Sequence, residues 1–201
     1  MTSSPMKAFA LAFFLLLAPS AWAQDGPSAT VERLNTVLLD VMKNAESLGY
    51  QGRYDRLSPE LTEIFDFPGM ARVTLGRHWR RTAPDKQEAF VSAFTDHSIA
   101  IFASRFDGYS GERFEILGEE QAKRGAVLVR NRIVKGDGEA VAINYLALPT
   151  KNGWRLIDTL LDAKYSELAT RRSEYGSIVA NQGIDALIAA LKDKAAGYAA
   201  P

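Results

Sequence analysis

Two histidines, a pair of carboxylates and a pair of adjacent arginines are the residues of this chain whose types and spacing could do chemistry. His78 and His97 stand nineteen residues apart, which is not a metal-ligand spacing of the H-E-x-x-H kind. His97 lies between Phe94 and Ile101 on a helical stripe, where a histidine is more often a core or surface residue than a base. His78 sits beside Trp79, Arg80 and Arg81 just past a predicted helix end, where positive charge complements the helix dipole. Asp158 and Asp162 are four apart on a predicted strand and would share a face, and paired carboxylates on a cleft wall can do acid–base work. Asp162, however, falls at the strand end, where it starts the turn into the next helix. Asp158 interrupts the apolar series Trp154, Leu156, Leu160; if buried it must be paired or hydrogen-bonded, with Arg155 or Arg171 as expected partners. Arg171 and Arg172 are neighbours on a predicted helix and cannot both face a core. At least one is expected to be exposed, simply solvated or available to a partner. There is no G-x-S-x-G, no phosphate-cradling glycine loop and no metal cluster, so no catalytic residue, metal or cofactor is assigned.

The elements that must position these residues follow from periodicity. Val31, Leu34, Val37, Leu38, Val41, Met42 and Ala45 recur at helical spacing, with Ser28 or Thr30 as cap and Gly49 as terminator. Ser58-Pro59 opens a second helix carrying Leu61, Ile64 and Phe65. Asp66 caps a short third one that has Pro68 near its start and Gly76 past its end. Thr82 with Pro84 begins the longest helix, running to about Phe106, with an aromatic stripe of Phe90, Phe94 and Phe102. From Arg113 the period becomes two. Strands are predicted at Arg113 to Leu117, from Val127 through Ile133, at Ala140 to Leu148 and at Trp154 to Asp162, with Lys135-Gly136-Asp137-Gly138 and Lys151-Asn152-Gly153 as turns. Ser166 to Val179 and Ile184 to Lys194 close the chain as helices separated by Gly183. Helices, a meander of about four antiparallel strands, then helices again define an α+β fold.

Residues 1–23 read as a cleavable export signal. Lys7 supplies the charge, Ala8 to Ala18 is apolar, and Ala21-Trp22-Ala23 is an A-x-A cleavage site that puts the mature start at Gln24. The run of eleven is too short for a transmembrane anchor, which takes about twenty residues. About 178 residues remain, enough for one domain (24–201) with a full core and no disulfides. The absence of cysteine excludes thiol chemistry, Cys-based metal sites and a lipoprotein's lipid attachment. The 24 basic residues balance 24 acidic ones, and no basic run is dense enough for nucleic acid.

The stretches Phe65-Asp66-Phe67-Pro68-Gly69-Met70-Ala71-Arg72, Leu75-Gly76-Arg77-His78-Trp79, Asn152-Gly153-Trp154-Arg155-Leu156-Ile157-Asp158, Arg171-Arg172-Ser173-Glu174-Tyr175 and Asn181-Gln182-Gly183-Ile184-Asp185 carry a resemblance. Their order and spacing resemble the MlaC family of periplasmic phospholipid-binding proteins, also called the toluene-tolerance auxiliary family. Phe106-Asp107-Gly108-Tyr109-Ser110-Gly111-Glu112-Arg113-Phe114, Leu128-Val129-Arg130 and Ser166-Glu167-Leu168-Ala169-Thr170 are similar to its hopanoid-biosynthesis-associated branch, HpnM. The resemblance spans about Val31 to Lys194. It implies a curved, helix-covered sheet of the nuclear-transport-factor-2-like kind, with a hydrophobic pocket that takes lipid tails. It also implies a shuttle between an inner-membrane transporter complex and an outer-membrane partner. Leu161-Asp162-Ala163-Lys164-Tyr165 replaces the small glycine-rich turn of the commoner pattern, at what would be the pocket mouth.

With that expectation, Phe90, Phe94, Phe102, Val127, Val129, Val141, Ile143, Tyr145 and Leu156 are candidates for the pocket, ordinary core being the alternative for each. Arg171 and Arg172 are candidates for partner or headgroup contact. A carrier for phospholipid or hopanoid is expected. A non-lipid interaction module and an enzyme using Asp158 are the alternatives.

Overall fold

A computed structural model describes residues 26–162 and 164–199. The proposed signal lies outside the described residues. Helices α1 (Pro27–Lys43), α2 (Ala45–Ile64), α3 (Phe67–Leu75) and α4 (Pro84–Arg105) precede the sheet, with a 3₁₀ segment, Gly76–Arg81, between α3 and α4. Strands β1 (Arg113–Gln121), β2 (Val127–Val134), β3 (Ala140–Thr150), β4 (Gly153–Leu161) and the short β5 (Tyr165–Ser166) follow. They pair antiparallel in chain order, and α5 (Glu167–Gln182) and α6 (Ile184–Ala199) end the chain. The α+β meander is the fold the periodicity predicts, with β5 added. No described helix is long and apolar enough to cross a membrane.

Local chemistry sets most boundaries. Asp66 accepts a hydrogen bond from the Gly69 N–H at 3.0 Å, the N-cap of α3, while Pro68 sits in the first turn where its missing N–H is harmless. Ser166 caps α5 through the Ala169 N–H. Gly49 adopts φ 59° and ψ −174°, non-helical values that divide α2 into two helical runs, so a run does stop there as expected, after an earlier break at Asn44. Ser58-Pro59, by contrast, starts nothing: α2 runs through Pro59 to Ile64. Leu57, Leu61 and Ile64 are all buried there, so packing outweighs the local proline signal. Thr82 donates to the His78 carbonyl, and α4 begins after Ala83 without a side-chain cap.

Helix α1 lies along β1 to β4, while α2, α3 and α5 gather at β4; α4 packs against α2, α3 and α6. The outer edge of β4 is covered at two points. Phe65 bridges Leu156, with the Asp66 N–H donating to the Leu156 carbonyl at 3.0 Å, and β5 pairs Leu160 and Leu161. Two bulges bend the sheet, at Ile116/Gly118 and at Leu146/Ala147. The second one decides which way β4 faces. Tyr145 stands opposite Thr159 and Ile143 opposite Leu161, whereas Ala147 stands opposite Leu156, so Ile157 is the extra residue. Leu156 therefore shares a face with Thr159 and Leu161, and Asp158 goes to the other face with Leu160. The interruption of Trp154, Leu156, Leu160 by Asp158 is a change of register across the bulge, and no charge is forced into the apolar face.

A buried polar set ties α1 to the sheet. Asn131 is fully buried on β2 and exchanges side-chain hydrogen bonds with Asn35 of α1, while its own N–H donates to the Asn144 side chain at 3.0 Å. Arg53 of α2 is also buried, donating to the carbonyls of Ala103 and Ala45 at 2.8 and 3.1 Å. A guanidinium at the last turn of α4 complements that helix's C-terminal carbonyls.

Candidate functional site: an apolar cavity between sheet and helices

Between the β3–β4 half of the sheet and helices α3, α4 and α5 the core does not close. The cavity there has about 130 Å³ of room for water-sized contents, within an open-sided recess of about 770 Å³ that includes solvent. Its sheet wall is one two-by-two patch, Ile143 opposite Leu161 and Tyr145 opposite Thr159. Phe65, Phe67 and Met70 supply the wall from the α2–α3 junction, Ile101, Phe102 and Phe106 the wall from the end of α4, and Leu168 that from α5. The aromatic rings are mutually braced: Phe65 stacks on Phe67 at 5.3 Å, meets Phe102 at 5.6 Å and Tyr145 edge-on at 6.4 Å, and Phe102 stacks on Phe106 at 5.9 Å. Such a surface offers shape and apolar contact, with no reactive atom among these groups. Burial alone pushes the Tyr145 hydroxyl pKa well up, so it stays neutral.

Five polar side chains also face the space: Ser98, Arg105, Thr159, Glu167 and Arg171. Arg171 is half-buried, donates to Ser98 Oγ at 2.8 Å and lies over the Phe94 ring at 5.3 Å. No carboxylate stands within ion-pairing distance of it among the described residues. A planar guanidinium held by one hydroxyl and one ring keeps N–H donors free for an anionic group.

Of the residues expected at a pocket, Phe102, Ile143 and Tyr145 line this cavity, and Arg171, expected as a partner or headgroup contact, joins them. Val127, Val129, Val141 and Leu156 share the same sheet face but are not on its wall; Val129 and Leu156 are fully buried in the packed core. Phe90 and Phe94 are fully buried as well, meeting Tyr175 edge-on at 6.2 and 6.4 Å. Arg172 is exposed and turned to the 3₁₀ segment, its guanidinium against Gly76. Phe65, Phe67, Met70 and Phe106 complete the wall without being among the expected pocket residues. The signal for the first three was the Phe-Asp-Phe-Pro-Gly-Met segment, whose aromatic density exceeds what a capped turn needs.

Asp158 is buried, and its partners differ from the arginines expected. Its Oδ1 accepts from the Thr159 and Leu168 N–H groups at 2.8 and 3.0 Å, and its Oδ2 from Ser166 Oγ at 2.5 Å. Arg155 is committed to Glu63 and to the carbonyls of Thr62 and Glu63, Arg171 to Ser98. The reason is again the bulge: it turns Asp158 toward β5 and the first turn of α5, where orphan N–H groups favour a carboxylate. Asp162 adopts φ 49° in the turn after β4 and shares no strand face with Asp158. Asp158→Asn is expected to cost about 1–3 kcal/mol by setting an amide against these donors, while any cavity ligand is retained. Urea unfolding with mass spectrometry of the bound fraction checks it; wild-type stability would remove the capping role.

His97 is buried beside Tyr198, and its Nδ1 has no hydrogen-bond partner among the described residues. Burial, then the positive charges of Arg171 and Lys194, push its pKa down to about 4. The unfolded imidazole titrates near 6.5, so between the two values the unfolded chain binds more protons. The stabilisation is full above about pH 6.5 and is lost as pH falls toward about 4. His97→Leu, which removes the orphan nitrogen, is expected to flatten that fall. Urea midpoints of both proteins at about pH 7.5 and about pH 5 test this, and equal losses would exclude the imidazole as the cause.

The fold and cavity define an α+β domain built around a bent antiparallel meander, with an apolar, solvent-open space between sheet and helices. The chain belongs to the MlaC family, which matches residues 32–193. It is similar in structure to a phospholipid-binding protein from Ralstonia solanacearum solved in complex with a phospholipid. The TM-score is 0.75 at 20% identity, over 90% of this chain and 100% of that one.

Proposed function

We propose that residues 24–201 act in the periplasm as one lipid-binding domain, a carrier without catalysis that holds acyl tail in the cavity. The headgroup lies toward Arg171 and Ser98. The observation that carries this reading is the unfilled apolar space in an otherwise packed core, in a family member whose structural relative binds phospholipid. Each methylene exposed to water costs about 0.8 kcal/mol, so fifteen of them cost on the order of 12 kcal/mol. A carrier crossing an aqueous compartment must bury that length and still release it, and an open-sided cavity suits both. The expected cargo is phospholipid exchanged between inner- and outer-membrane complexes, with hopanoid as the rival suggested by the HpnM-like segments.

Against an enzyme stands the burial of Asp158 and the commitment of three of its roughly four acceptor sites to fixed hydrogen bonds that cap α5. Against a plain interaction module stands the cavity itself. Mass spectrometry of organic extracts from natively purified protein is the test. Stoichiometric phospholipid is expected, hopanoid would change the cargo, and a lipid-free extract would refute the carrier.

A further inference from the structure

Residues 67–82 contain four arginines and no acidic residue, in a chain whose basic and acidic residues balance. Folding adds a fifth from far away. Arg172 of α5 reaches the 3₁₀ segment, its guanidinium close to Gly76, so that it joins Arg72, Arg77, Arg80 and Arg81. All five are exposed, and none makes an ion pair among the described residues. Elsewhere Arg33, Arg56, Arg113, Arg130, Arg132 and Arg155 each pair with a carboxylate. Of the seven exposed arginines without an ion pair among the described residues, five stand where α3, the 3₁₀ segment and α5 meet; the other two are Arg105 and Arg124. Val73, an exposed hydrophobic, and the half-buried Trp79 stand among the arginines.

We propose that this surface docks the protein onto an anionic phospholipid bilayer. Guanidinium forks match phosphate, and an indole with a small apolar neighbour among cations suits the headgroup layer. The placement also serves a lipid carrier. Phe67 and Met70 near the start of α3, and Leu168 and Arg171 on α5, face the cavity, while Arg72 and Arg172 of the same helices carry the basic surface. Docking through that side sets the cavity beside the bilayer. The surface is a property apart from what the cavity holds.

Vesicle co-sedimentation of the full mature protein tests it, using phosphatidylcholine alone and with about a third phosphatidylglycerol. The wild type is expected to bind the anionic vesicles at least about tenfold better than the neutral ones and to be released at about 0.5 M salt. Combining Arg77→Gln, Arg80→Gln, Arg81→Gln and Arg172→Gln should lower that binding about tenfold or more. The melting temperature and cavity-bound lipid are expected to stay unchanged. A control with Lys123, Lys151, Lys164 and Lys192 changed to Gln should stay within about twofold. Equal binding to both vesicles, equal losses in the two variants, or retention on polyglutamate with no vesicle binding would each overturn the proposal. Loss of cavity lipid with vesicle binding intact would count against the carrier reading alone.

Discussion

Ile143→Trp is expected to abolish lipid co-purification while leaving the melting temperature within a few degrees of the wild type, and Val129→Trp is expected to do the reverse. Both residues face the same side of the sheet, one strand apart. Ile143 is only partly buried and borders the open space, so an indole there extends into the volume proposed for an acyl chain. Val129 is fully enclosed by packed core, where added bulk costs about 1–3 kcal/mol and sometimes more. For a domain of this size each kcal/mol lowers the melting temperature by roughly 2–4 °C. Thermal unfolding and lipid extraction on both variants decide the matter. Folded Ile143→Trp with lipid at the wild-type level would show that the space next to Ile143 is not where lipid lies.

Phe94→Ala should give the largest loss of stability, about 3–5 kcal/mol. Phe94 is fully buried and meets Phe67, Phe90 and Tyr175 at 6.1 to 6.4 Å between ring centroids. Removing it leaves a void walled by three rings too rigidly braced to collapse. It also takes away the ring beneath Arg171, so any headgroup contact made by that guanidinium should weaken with it. Phe102→Ala is the comparison. Phe102 is half-buried on the cavity wall, so its truncation enlarges an existing space and should cost clearly less stability. Urea unfolding of the two variants tests the ranking, and equal losses would mean that the cavity closes on Phe102 in solution.

The difference between these two phenylalanines marks how far sequence reasoning reached. Both stand on one aromatic stripe of α4 eight residues apart, and both were reasonable pocket candidates. Phe94 is covered by Tyr175 of α5 and Phe67 of α3, whereas Phe102, two turns further on, lies where the helices no longer close over the sheet. Arg171 and Arg172 divide in the same way. One turns inward to Ser98, the other outward to Gly76, and helical spacing shows only that the two must part.

The kinds of element, their order and most of their ends belong to the sequence by itself. The change of period from 3.6 to 2, the Asp66 and Ser166 caps, and the glycines at turns act within a few residues of one another. The family resemblance rests on the same local segments. Tertiary structure alone decided that β4 bulges at Ile157, turning Asp158 away from the apolar face to cap α5. It also decided that five arginines meet on one surface, and that the core stays open between β3–β4 and the ends of α3, α4 and α5. Periodicity states which face of an element is apolar. Whether that face ends in packed core or in a cavity depends on the distance to elements tens of residues away, and no spacing within one element carries that distance.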